Sequence, residues 1–237
     1  MLTLTALLSL SSRLRVHRAS LVSMSAAQIE VERKFQAPPD HAALAERIVA
    51  NGGAVVGTKS FTDTYYDSTA CVLTRRDMWL RCRDGAWELK LPIEDDARRS
   101  GGERTVFREI EGTDAVAEAL QTLLPGTSGP EALESLIEAA GLEPFAEFST
   151  TRSQYKLGRA SIDADIASFG HSVMEIEVMC TSASEVAAAE AEIARVAELC
   201  GATPLSGAMG GKLETFIRQQ CPNVLAQLID VGILQKS

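Results

Sequence analysis

Histidine and paired cysteine are what this chain has least of. Its three histidines, His17, His41 and His171, are scattered. Its five cysteines, Cys71, Cys82, Cys180, Cys200 and Cys221, are odd in number and contain no C-x-x-C pair. The first scarcity excludes a His-based zinc site; the second makes a disulfide framework improbable and points to a reducing compartment. Any metal must then be held by oxygen, which selects magnesium, manganese or calcium. No glycine fingerprint follows the opening strand, so a dinucleotide-binding fold is excluded, and MGGKLE at 209–214 has Gly-Gly-Lys without the rest of a P-loop. The apolar run MLTLTALLSL is too short to span a bilayer. A formal charge of −9 argues against nucleic acid or an anionic membrane as partner.

Acidic residues are absent from the first 29 positions, where Arg13, Arg15 and Arg18 follow the apolar run. That order is the reverse of a secretory signal. Residues 1–28 are therefore set apart as an N-terminal extension, with either the composition of an organelle transit peptide or the character of a dispensable segment, Met24 offering an alternative start. Cytoplasmic location is expected, or mitochondrial or another organelle if the extension is a transit peptide. The remaining length fits one domain, residues 29–230.

What is there reads as strands with a few helices. After the opening strand, a helix with Leu44, Ala45, Ile48 and Val49 on one stripe stops at Gly52 and Gly53. FTDTYYD, DMWLRCRD and AWELKLPI read as strands, the last two joined by an Asp84-Gly85 turn. The polar run DDARRSGGE is a loop before the strand RTVFREI, and helices are expected over 114–123 and 130–140. FSTTRSQYKLG, RASIDADIA and VMEIEVMC are strands; a helix capped by Ser184 and ending near Gly201 follows, and a last helical region runs from Lys212 toward Leu228. Many strands with short connections predict an α+β fold around a closed antiparallel sheet flanked by helices.

The stretch IEVERKF puts Glu30, Glu32 and Lys34 on one strand face. Alone, such a row reads as a solvated surface. The pattern recurs, however: Trp79, Arg81 and Arg83 share a face, as do Glu88 and Lys90, Asp163 and Asp165, and Glu175 and Glu177. In a closed barrel the charged faces can turn inward as a wet tunnel, with the apolar faces outside under helices. Burying such a lining is costly without a ligand. A polyphosphate with a divalent metal balances both charge classes, because cations take phosphate oxygens while carboxylates hold the metal. Trp79 is placed to stack on an organic ring or cation near the end of its strand, or else simply packs.

EVERK at 30–34, DTYYD at 63–67, MWLRCR at 78–83, WELK at 87–90, TRS at 151–153, EIE at 175–177 and GGKL at 210–213 together resemble the CYTH family, the triphosphate tunnel metalloenzymes, and within it the thiamine triphosphatases. The resemblance implies an eight-stranded tunnel, acting as a monomer, that hydrolyses thiamine triphosphate to thiamine diphosphate and phosphate with magnesium, manganese substituting. It implies that Lys34, Arg81, Arg83, Lys90, Arg152 and Lys212 bind phosphate and that Glu30, Glu32, Asp163, Glu175 and Glu177 hold the metal. Tyr65 and Lys90 would activate water, and Glu109 would be an orienting group or a salt-bridge partner of an arginine. Arg33, Arg75, Arg76 and Arg108 are read as surface or structural. Inorganic tripolyphosphatase, adenylate cyclase and a non-catalytic polyphosphate- or nucleotide-binding module are the other functions compatible with such a tunnel.

Overall fold

Alternation along the first strand decides the architecture. In β1 (Gln28–Gln36), Ile29, Val31 and Phe35 are buried in an apolar cluster, whereas Glu30, Glu32 and Lys34 line an internal cavity. The computed structural model describes residues 28–93, 104–124, 132–205 and 210–236. Seven further strands follow: β2 (Ala54–Asp67), β3 (Trp79–Arg83), β4 (Ala86–Pro92), β5 (Arg104–Glu111), β6 (Glu143–Leu157), β7 (Ala160–Ala167) and β8 (Ser172–Cys180). Their hydrogen-bonded order is β1-β5-β4-β3-β2-β6-β7-β8, and β8 pairs back onto β1. All pairings are antiparallel and the barrel has no free edge.

Apolar burial lies outside this barrel and over one of its ends. Helices α1 (His41–Ala50) and α4 (Val186–Cys200) place Leu44, Ile48, Ile193 and Val196 in one cluster with Val31, Ile162 and Ile176. Helices α2 (Thr113–Leu123) and α3 (Leu133–Ala139) do the same for Leu80 and Leu89. The last two, α5 (Lys212–Gln220) and α6 (Pro222–Asp230), bring Ile217 and Leu228 against Trp79, Phe107 and Phe148 and so cover one end. Each such side chain contributes roughly 1.5–3 kcal/mol on burial. The charged faces are left for the inside. Among the described residues no helix is long and apolar enough to cross a membrane, and the five cysteines are free.

Local chemistry explains most element ends. Asp40 caps α1, its carboxylate accepting from the amides of Ala42 and Ala43 at 2.8 and 3.1 Å. Asp84 and Gly85, with φ of 47° and 88°, make the left-handed two-residue turn between β3 and β4. Three expectations need correction. Ser184 does not cap α4: it sits in a 3₁₀ turn, its hydroxyl paired with that of Ser182, and α4 starts at Val186. The region from Lys212 is two helices, because Pro222 has no amide to continue α5 and is suited to begin α6. Strands β2 and β6 start at Ala54 and Glu143, earlier than FTDTYYD and FSTTRSQ suggested: the extra residues of β2 are exposed and carry no apolar alternation, and those of β6 hold Pro144 and the adjacent apolar pair Phe145 and Ala146, which breaks a two-residue period. The run 95–103 lies outside the described residues, as do positions 130 and 131 of the expected helix.

One carboxylate holds the crossing from β2 to β3. Asp67 is 4% exposed and accepts from the amides of Ser68 (2.7 Å), Leu73 (3.1 Å) and Thr74 (2.7 Å). Asp67→Ala leaves three amides without that acceptor and should lower unfolding free energy by about 2–4 kcal/mol in urea titrations. Asp67→Asn, which can serve only part of the set, should fall between.

Candidate active site: a charged tunnel

Eight strands turn their polar positions into one cavity of about 360 Å³. All the expected phosphate ligands line it, namely Lys34, Arg81, Arg83, Lys90, Arg152 and Lys212, and so do Glu30, Glu32, Asp163, Glu175, Glu177, Glu109, Tyr65 and Trp79. The convergence follows from register: Lys90 lies opposite both Trp79 and Glu109, Arg81 opposite Tyr65 and Glu88, and Lys34 opposite Glu175. Lys212, although helical, reaches in from the first turn of α5. Its neighbour Gly211 gives Lys34 room, because a β-carbon there would lie 2.5 Å from Cε of Lys34 and displace the end of that side chain.

Every expected phosphate ligand is ion-paired. Lys90 bridges Glu30 (2.5 Å) and Glu109 (2.7 Å). Arg81 donates to Glu88 at 2.5 Å, and Arg83 donates to both oxygens of Asp63 at 2.6 and 2.9 Å. Arg152 grips Asp165 through two bonds of 2.7 Å and also contacts Asp163 and Glu175. Lys212 reaches Asp165 and Glu175, and Lys34 pairs with Glu32. Arg75 pairs with Asp230 and Gln227 and Arg76 with the Leu123 carbonyl, outside the cavity, as read from the sequence.

The five acids assigned to metal divide. Glu30, Glu32 and Glu177 offer carboxylate oxygens all within 4.8 Å of one another, whereas Asp163 and Glu175 are held by Arg152 and Lys212. Burial, together with the charges of Glu30, Asp163 and Glu32, pushes Glu177 up to about 9. Burial also raises Glu32. Glu30, despite burial, is drawn down to about 2 by Lys90. A trio of oxygen ligands kept from full ionisation by burial and by mutual repulsion suits a hard divalent cation, which offsets both.

The pair expected to activate water is protonated in this state. Burial opposes the Lys90 charge, but Glu30, Glu109 and Glu88 outweigh it and hold the ammonium well above its usual range. Burial keeps the Tyr65 phenol raised as well. Burial, with Glu30 and Glu88 behind it, pushes Glu109 up to about 8 despite Lys90. Glu109 therefore pairs with a lysine, where an arginine was one expectation.

Several lining residues escaped the sequence reading as site members, namely Glu88, Lys59, Phe107, Ile217 and Leu234, as did Asp63, which stands behind the lining as the partner of Arg83 and Arg81. Asp63 and Lys59 share the parity of Tyr65 on β2, and Glu88 that of Lys90, so spacing held their signal. Trp79 is accordingly one of several aromatic and apolar groups at the covered end, with Tyr65 and Phe107 beside it. Its indole N–H donates to Asp77 at 2.8 Å, which fixes the ring plane.

With this lining in view, the family model described as CYTH domain matches residues 28–208. The chain belongs to the CYTH family. Among curated relatives of this CYTH protein, the thiamine-triphosphatase of Macaca fascicularis is 31% identical over 221 residues, covering 88% of this chain and 93% of that protein. The thiamine-triphosphatase of Homo sapiens is 31% identical over 220 residues, with the same shares. A solved structure, a candidate adenylate cyclase from Vibrio parahaemolyticus, superposes with a TM-score of 0.51 at 18% identity, covering 75% of this chain and 91% of that one, a likeness of fold.

The raised carboxyls set a pH dependence. Glu177 and Glu109 bind protons more tightly in the folded CYTH protein than in the unfolded chain, where they ionise near 4.5. Their contribution to stability is complete below that value and is lost as pH rises through about 8 to 9. The melting temperature of metal-free protein should therefore fall between about pH 7 and 9.5, and the rise produced by magnesium should grow over the same interval. Glu177→Gln should flatten the first trend and remove most of the second, read by thermal melts with and without magnesium.

Proposed function

We propose that this protein is a magnesium-dependent phosphohydrolase of small triphosphates whose substrate is thiamine triphosphate, cleaved to thiamine diphosphate and phosphate. The observation that carries this reading is the union, in one cavity, of a ring of ion-paired cations and carboxylates with an apolar wall of Tyr65, Trp79, Phe107, Leu213, Ile217 and Leu234. A triphosphate exchanges places with the carboxylates on Lys34, Arg81, Arg83, Lys90, Arg152 and Lys212. Bare tripolyphosphate has nothing to set against the apolar wall, whereas an aromatic cation has both a ring and a charge. The two thiamine-triphosphatase relatives support the same substrate.

The chain's own groups divide the work. Glu30, Glu32 and Glu177 would hold the metal, with Asp163 and Glu175 as further oxygen ligands, while Arg152 and Lys212 bind phosphate. Magnesium, when bound, neutralises charge on the phosphate oxygens. Lys90 binds and orients the phosphates as an ammonium, and Tyr65 orients the attacking water. Glu109, in its ionised form beside Lys90, takes the proton of that water as its oxygen bonds to the terminal phosphorus and the bridging P–O bond to the diphosphate breaks.

Steady-state kinetics on thiamine triphosphate, tripolyphosphate and ATP with magnesium test this. Trp79→Ala should lower kcat/KM for thiamine triphosphate about 5- to 30-fold and change tripolyphosphate hydrolysis much less. Lys90→Met should abolish turnover of both. Equal losses on both substrates in the tryptophan variant, or an outright preference of the wild type for tripolyphosphate, would replace this reading by inorganic tripolyphosphatase.

A further inference from the structure

Following β2 from Tyr65 back toward its start, the inward positions are Asp63, Phe61 and Lys59. Lys59 lies six residues from Tyr65, roughly 20 Å along the strand. That direction leads away from Trp79, Phe148 and the helices over the covered end, and there Lys59 is exposed. It stands opposite Arg152 on β6. Its ammonium is 5.8 Å from the centre of the Phe61 ring, which also carries the Arg83 guanidinium at 3.9 Å.

Charge sets Lys59 apart. Arg83 is tied to Asp63, and Arg152 to Asp163, Asp165 and Glu175. Among the described residues, Lys59 is the cavity-lining cation with no carboxylate at ion-pair distance. Nine carboxylates and seven cations line the cavity. A polyanion approaching it therefore meets repulsion, and the deeper cations cannot offset that at a distance because each already faces its own carboxylate. Capture needs a positive group at the rim that is still uncompensated.

We infer that Lys59 is the capture residue of the tunnel: it makes the first contact with incoming phosphates at the open rim and passes them to Arg83 and Arg152. Arg83 stacks on Phe61, and Lys59 lies beside the same ring, so the two cations flank a common support and a phosphate can shift from one to the other. The inference rests on the triphosphate reading of the site but not on thiamine, since the organic group lies at the other end. Its effect falls on encounter, which long-range charge accelerates and salt weakens, and leaves the chemical step alone.

The test is the salt dependence of kcat/KM for tripolyphosphate and thiamine triphosphate with saturating magnesium, from about 20 to 300 mM sodium chloride. At the low end Lys59→Met should lower kcat/KM about 3- to 5-fold and Lys59→Glu about 10- to 30-fold on both substrates, with kcat changed less than about twofold. Lys59→Arg should match the wild type, and the differences should shrink as salt rises. Wild-type kcat/KM and salt slope in Lys59→Glu would overturn the inference, and so would a kcat that falls in parallel with kcat/KM. A wild type inert toward both triphosphates would instead sink the proposed activity. Capture is then read by calorimetric binding of magnesium tripolyphosphate, where the same ordering of variants upholds it and equal affinities reject it.

Discussion

Internal ion pairing between the two charge classes of the lumen is the constraint on which this structure depends. A barrel with an inside face of glutamates, aspartates, lysines and arginines does not close unless each desolvated charge meets an opposite one. The eight strands supply this through register, setting Lys90 beside Glu109, Arg152 beside Asp165 and Lys34 beside Glu175. The apolar work is moved outward to the clusters under α1 to α4, so the usual inside-apolar sheet is inverted. The same pairing gives the site its chemistry. A phosphate chain and a metal can enter only by dividing the pairs between them, which makes binding an exchange of partners at nearly constant charge balance.

Much of this was legible along the chain because a strand repeats every two residues. Glu30, Glu32 and Lys34, or Glu175 and Glu177, declare a polar face without any knowledge of the fold, and the count of such faces already implied that they converge. The CYTH resemblance then allotted the charges to phosphate or metal. Which carboxylate meets which cation was not legible, since Arg152 lies 11 residues from Asp163 but 23 from Glu175 and bonds both. That choice belongs to cross-strand register. It explains why five acids were assigned to metal when three of them approach one another, and why Asp63 was passed over although DTYYD was in view.

The covered end was hidden for a different reason. Ile217, Leu228 and Leu234 come from a segment whose helices show ordinary amphipathic spacing, and nothing in that spacing says they lie over the mouth of a barrel. The break at Pro222 bends the chain so that Leu234 reaches the cavity. The long start of β2 was missed because its residues up to Ser60 are exposed, with Thr58 and Ser60 facing Ser153 and Thr151 of β6, and no apolar side betrays a sheet there; the start of β6 was missed because Pro144 and the adjacent Phe145 and Ala146 break the two-residue period.

The grip of Arg152 on three carboxylates has a consequence for how such a tunnel can change over time. Removing the guanidinium leaves Asp165 and Glu175 to share Lys212 and Asp163 with only the Gln154 amide, while removing any one acid frees a donor that the other two partly absorb. Losses at these positions do not add. An acid can be given up first and its cation afterwards at little expense, whereas the opposite order passes through an intermediate with several orphaned charges. Drift in the lumen is therefore directional: carboxylates leave before cations, and a lineage acquiring a new ligand would shed acidic partners from Arg152 before it touched Arg152 itself.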